Sequence, residues 1–123
     1  MKVLVIDDDV WINKMIIKVL QTEGFEVFSG FDGKEGLRIL HQNTDIDLII
    51  TDIVMPEKEG IETIIDVRKE FKNIKIIAIS GGGKLKPEGY LLLARKLGAD
   101  NILKKPFDND ELIAMVRETL TKN

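Results

Sequence analysis

Runs of β-branched and aliphatic residues recur along the chain at Val3-Leu4-Val5-Ile6, Leu48-Ile49-Ile50-Thr51, Ile74-Lys75-Ile76-Ile77-Ala78-Ile79 and, more weakly, Asn101-Ile102-Leu103. Short, nearly continuous apolar runs belong to strands covered on both faces, so the first three predict buried strands. Phe25-Glu26-Val27-Phe28-Ser29 alternates less cleanly between Gly24 and Gly30 and predicts a strand nearer a sheet edge. Between these runs, residues 10–22, 33–42, 58–71, 88–97 and 109–121 carry helical period. Asp32 with Glu35, and Asp108 with Glu111, have the spacing at which side chains satisfy the free N–H groups of a helix start. Phe107 and Leu112 are placed to staple the last helix, and Pro87 and Gly98 to bracket the fourth.

Five alternating βα units with right-handed crossovers predict an α/β fold, a parallel sheet with helices on both faces. Its 123 residues lead us to expect one domain spanning 1–123 with no attached output domain. The 44% hydrophobic content is enough for a core. A net charge of −3 argues against direct binding of nucleic acid. The absence of cysteine excludes thiolate metal sites and the single histidine, His41, leaves little for an imidazole site, so any metal is expected to be held by oxygen. His41 falls in the polar last turn of a helix and takes no role. The apolar run after Met1-Lys2 is too short for a signal peptide or membrane insertion, so a cytoplasmic location is expected.

Open sheets of this kind bind ligands beyond the carboxyl ends of their strands. Those ends carry Asp7-Asp8-Asp9, Thr51-Asp52, Ser80-Gly81-Gly82-Gly83 and Lys104-Lys105-Pro106. Single aspartates there are ordinary turn formers and helix caps. Brought together, three carboxylates repel one another and call for a hard divalent cation such as Mg²⁺. A lysine and a serine opposite them suit a phosphoryl group, whose charge lies on its oxygens.

In this ordered set the sequence resembles the receiver domains of two-component response regulators, over essentially the whole chain. The resemblance rests on Asp7-Asp8, on Asp52 followed by Met55-Pro56 and Gly60, on Ser80, and on Lys105-Pro106-Phe107. It implies a flavodoxin-like, doubly wound sheet of order 2-1-3-4-5 with five helices. It further implies a stand-alone signalling phosphoacceptor, not an enzyme with a separate substrate, that forms an aspartyl phosphate. Asp52 would accept the phosphoryl group from a phosphohistidine of a sensor histidine kinase or phosphotransfer protein. Asp8 would ligate Mg²⁺ directly, Asp7 through water, and Val54 through its backbone carbonyl, with Asp52 part of the set. Lys105 and Ser80 would meet phosphoryl oxygens, and the switched surface would engage a downstream protein not identified by the sequence. Asp9 is read as a helix N-cap. A cis bond at Lys105-Pro106 would turn the lysine inward.

Two positions depart from the family pattern. The switch position three residues before the lysine, usually aromatic, is Ile102, and three glycines follow Ser80. A mobile 81–90 loop is therefore expected to replace the aromatic switch. Gly81-Gly82-Gly83-Lys84 is no nucleotide-binding loop, because Ala78 and Leu85 stand where that pattern needs glycine and a hydroxyl. A haloacid-dehalogenase-like phosphatase would need Thr or Val where Trp11 stands, and a flavodoxin would not place three aspartates against its phosphate. A degenerate receiver, acting as an interaction module without phosphoryl transfer, is the other alternative. On the first helix, Ile12, Ile16, Val19 and Leu20 form the predicted core face. Trp11 and Met15 either pack at its margin or form an apolar docking patch beside the acidic site.

Overall fold

The computed structural model describes residues 1–53, 59–80, 89, 92 and 95–121. Its elements run β1 (Lys2–Ile6), α1 (Val10–Thr22), β2 (Glu26–Gly30), α2 (Gly33–Gln42), β3 (Leu48–Asp52), α3 (Glu59–Glu70), β4 (Lys75–Ser80), α4 (helical residues 89, 92 and 95–97), β5 (Asn101–Lys104) and α5 (Asn109–Thr121). Five parallel strands form one sheet in the order β2-β1-β3-β4-β5. Both the alternation and the strand order agree with expectation. Val54, Met55-Pro56, Pro87 and most of the 81–90 loop lie outside the described residues.

Strand side chains point alternately to the two faces, so the runs divide into two cores. Leu4, Ile6, Ile49, Ile53, Ile76 and Ala78 pack under α2 and α3 through Leu40, Ile61, Ile64 and Val67. Val3, Val5, Leu48, Ile50, Ile77 and Ile79 pack under α1 and α5 through Ile16, Leu20, Leu112 and Val116. Hydrophobic burial on both faces is why β1, β3 and β4 read as unbroken apolar runs.

The caps form as the spacing predicts. Asp9 accepts the Trp11 and Ile12 amides, Asp32 that of Glu35, and Asp108 that of Glu111, while Phe107 packs into the core beside Leu112. α1 ends as Phe25 N–H bonds the Leu20 carbonyl and Gly24 N–H that of Gln21. Gly24 holds φ +92°, a left-handed conformation a glycine adopts without strain.

Arg68, in α3, donates to the carbonyls of Gly98, Lys72 and Ile74 and to Asp100 Oδ2, which also accepts the Ile76 N–H. It thereby ties α3 to the entries of β4 and β5. Exposed His41 pairs with Glu70 and lies beside Phe71. Among the described residues, no helix is long and apolar enough to cross a membrane.

Candidate phosphoacceptor site

Strand register brings the polar residues together. Ile6 is level with Thr51, Thr51 with Ala78, and Ala78 with Ile102. One residue further along, Asp7 and Asp52 emerge side by side from β1 and β3. Ser80 follows a step later from β4, paired with Lys104, and Lys105 comes directly after, its N–H donating to the Ser80 carbonyl.

Carboxylate oxygens of Asp7, Asp8 and Asp52 lie within 4.8 Å of one another, with Asp7 and Asp52 buried and Asp8 exposed. Lys105 Nζ donates to Asp52 Oδ2 at 2.8 Å and stands 3.8 Å from Asp7 Oδ2. The Lys105-Pro106 peptide is cis, as expected, and the lysine faces the acids. Asp7 Oδ2 and Ser80 Oγ are both buried without a hydrogen-bond partner among the described residues. Buried polar atoms are rarely left so, and these two line one end of the sheet. Among the described residues, three carboxylates against one ammonium leave a net negative pocket whose metal-binding atoms are oxygens, which fits a hard divalent cation.

Asp7, Asp8, Asp52, Ser80 and Lys105 are thus gathered as the sequence suggested, whereas Val54 lies outside the described residues. Trp11 is 83% exposed, so it does not pack at the core margin; Met15 does, against the core beneath α1. Ile12, Met15, Lys105, Pro106 and Phe107 line a groove of about 370 Å³.

Burial pushes the Asp7 carboxyl up to about 6, and the nearby Asp52 and Asp8 charges add to this, against the opposing Asp9 N–H bond and Lys105 charge. Burial lowers the Lys105 ammonium, but its bond to Asp52 and the charges of Asp52, Asp7 and Asp9 outweigh this and raise it overall. Because the folded chain holds the Asp7 proton more tightly than the unfolded chain does, stability from this group falls as pH rises from about 4 to 6. The full penalty then persists at neutral pH. Asp7→Asn keeps an acceptor for the Asp9 N–H, made at 2.8 Å, and removes the charge. In chelator, it should stabilise the protein by about 1–3 kcal/mol at pH 7.5 and by little near pH 4. Urea denaturation giving equal stabilities at pH 7.5 would remove this strain from the site.

Gly60 was part of the motif, and the structure supplies its physical reason. A Cβ there would sit 2.3 Å from the Asp52 carbonyl oxygen and 2.4 Å from Ile53 Cα. A second residue, Asn13, escaped the sequence reading altogether. Its amide is fully buried and bonds the Asp7 and Gly30 carbonyls. The signal for it was spacing, since 13, 16 and 20 fall on one helical stripe with Ile16 and Leu20.

Comparison with known proteins bears on the same elements. The response regulator receiver domain family matches residues 3–117. A crystal structure of a response regulator receiver domain protein from Clostridium thermocellum is similar at TM-score 0.87 and 32% identity, covering 97% of this chain and 93% of that one. The chemotaxis protein CheY of Treponema pallidum is 33% identical over 123 residues, covering 97% of this chain and 82% of CheY. The transcriptional regulatory protein CpxR of Klebsiella pneumoniae is 34% identical over 122 residues, 99% of this chain but 50% of CpxR, so the chain spans half of that relative's length. With the family match running from Val3 to Arg117, through every strand whose end supplies the acidic pocket, the chain belongs to the response regulator receiver domains.

Proposed function

We propose that this receiver domain accepts a phosphoryl group on Asp52 from the phosphohistidine of a sensor histidine kinase or phosphotransfer protein. Phosphorylation then shifts the surface of this domain, in the cytoplasm, for recognition by a downstream protein. The observation that carries this reading is the buried Asp52 carboxylate held 2.8 Å from Lys105 Nζ and clustered with those of Asp7 and Asp8, while Asp7 Oδ2 and Ser80 Oγ, at the same end of the sheet, are buried without a hydrogen-bond partner among the described residues. A carboxylate oxygen of Asp52 forms a bond to phosphorus as the phosphorus–nitrogen bond breaks, its electron pair staying with the imidazole. Lys105 balances charge on the phosphoryl oxygens, and Ser80 donates its hydroxyl to one of them. Hydrolysis by water breaks the acyl phosphate, releasing phosphate and restoring the carboxylate. Asp7, Asp8 and Asp52, with the Val54 carbonyl, would hold Mg²⁺, which offsets the repulsion between the acids and an incoming dianion. The exposed Trp11, and the apolar groove that shares Lys105 with the site, would supply the docking surface.

Intact mass after incubation with a small phosphodonor tests this. One phosphoryl group should be gained with Mg²⁺ and none in chelator. Equal uptake in chelator would contradict the proposed chemistry.

A further inference from the structure

Asn13 is fully buried one turn into α1, where a bare core position would be filled by an aliphatic side chain. Burying an amide is costly unless each end is bonded, and here each end is. Nδ2 donates to the Asp7 carbonyl at 3.0 Å and the Gly30 carbonyl at 3.1 Å, and Oδ1 accepts the Ser29 hydroxyl at 2.7 Å. Two carbonyl oxygens can be met only by the NH₂ end, so these partners fix the amide's orientation. One side chain thus joins the exits of β1 and β2 to α1, where the Asp7 N–H already donates to Gly30 O.

The Asp7 carbonyl shares a rigid plane with the Asp8 N–H and Cα. Holding that oxygen therefore fixes where the Asp8 Cα sits, the point from which its carboxylate reaches toward the pocket. On the far side of the same turn, Asp7 Oδ1 is taken up by the Asp9 N–H, leaving Oδ2 for the pocket. We propose that Asn13 is a positioning residue of the acidic pocket: its amide anchors the Asp7–Asp8 peptide and so presets the two carboxylates for a divalent cation. This rests on the cation site of the proposed function.

Asn13→Leu keeps the branched shape in a somewhat larger side chain and removes all three bonds. Ser29→Ala leaves both carbonyl bonds of the amide in place and removes only the hydroxyl that Oδ1 accepts, which keeps the question answerable should Asn13→Leu not fold. Mg²⁺ titration followed by Trp11 fluorescence and by NMR should show affinity about tenfold weaker in Asn13→Leu and a smaller loss in Ser29→Ala. In metal-free protein, amide exchange at Asp8 and Asp9 should speed up in the same order. A folded Asn13→Leu with lower stability but wild-type Mg²⁺ affinity and unchanged Asp8 exchange would overturn the proposal and leave Asn13 a core contact. If wild-type protein shows no Mg²⁺ binding, the proposed function fails, and the metal-free exchange alone decides on Asn13.

Discussion

Asp52→Asn is expected to leave a folded protein that takes up no phosphate. The amide has the shape of the carboxylate, and its oxygen still accepts from Lys105 Nζ, which lies 2.8 Å from Asp52 Oδ2. It lacks the negative charge that makes a carboxylate oxygen a nucleophile. The substitution also relieves one of three mutually repelling charges, so the fold should be unharmed or somewhat more stable without metal. Intact mass measured with phosphodonor and Mg²⁺ should therefore show no gain beside a fully responsive wild type. Uptake at the wild-type level would place the acceptor elsewhere.

Gly60→Ala should be among the most damaging single substitutions in the described chain. The new methyl would meet backbone on both sides, the Asp52 carbonyl oxygen at 2.3 Å and Ile53 Cα at 2.4 Å, and neither can rotate away. The start of α3 must then be pushed off the end of β3, at a cost of about 3 kcal/mol, and Asp52 moves with it. Gly36→Ala is the matched control, because its nearest obstacle, Ile6 Cδ1 at 2.4 Å, is the tip of a side chain with other rotamers. About 1 kcal/mol is expected there. Denaturant titrations giving Gly60→Ala the smaller loss of the two would contradict this account of the β3–α3 junction.

The fold was legible because its local and long-range determinants agree. β1, β3 and β4 are covered on both faces and so spell unbroken apolar runs, and α1, α2 and α5 begin and end where caps and period place them. The site was legible for a related reason: parallel strands finish at one end, so residues after each run converge once the register is near Ile6 with Thr51. Less visible were contacts made across distant segments. Nothing local to Arg68 announces bonds to Gly98 and Asp100, about thirty residues on. Asn13 is hidden by its polarity, although its spacing from Ile16 and Leu20 puts it on the buried face of α1. Trp11 went the other way, a large ring that period alone left between margin and patch and that stands in the open. Ile102 is half-buried on the outer strand β5, while the glycine loop expected to take over its switching role lies outside the described residues.

Site-resolved trapping of the acyl phosphate tests the central claim most directly. Borohydride reduces an aspartyl phosphate to homoserine, marking the modified position permanently. After incubation with phosphodonor and Mg²⁺, reduction and proteolysis, peptide mass analysis should find homoserine at position 52 and nowhere else. Homoserine at 7, 8 or 9, or none at 52 in protein that has gained a phosphoryl group, would contradict the assignment of Asp52 as the acceptor.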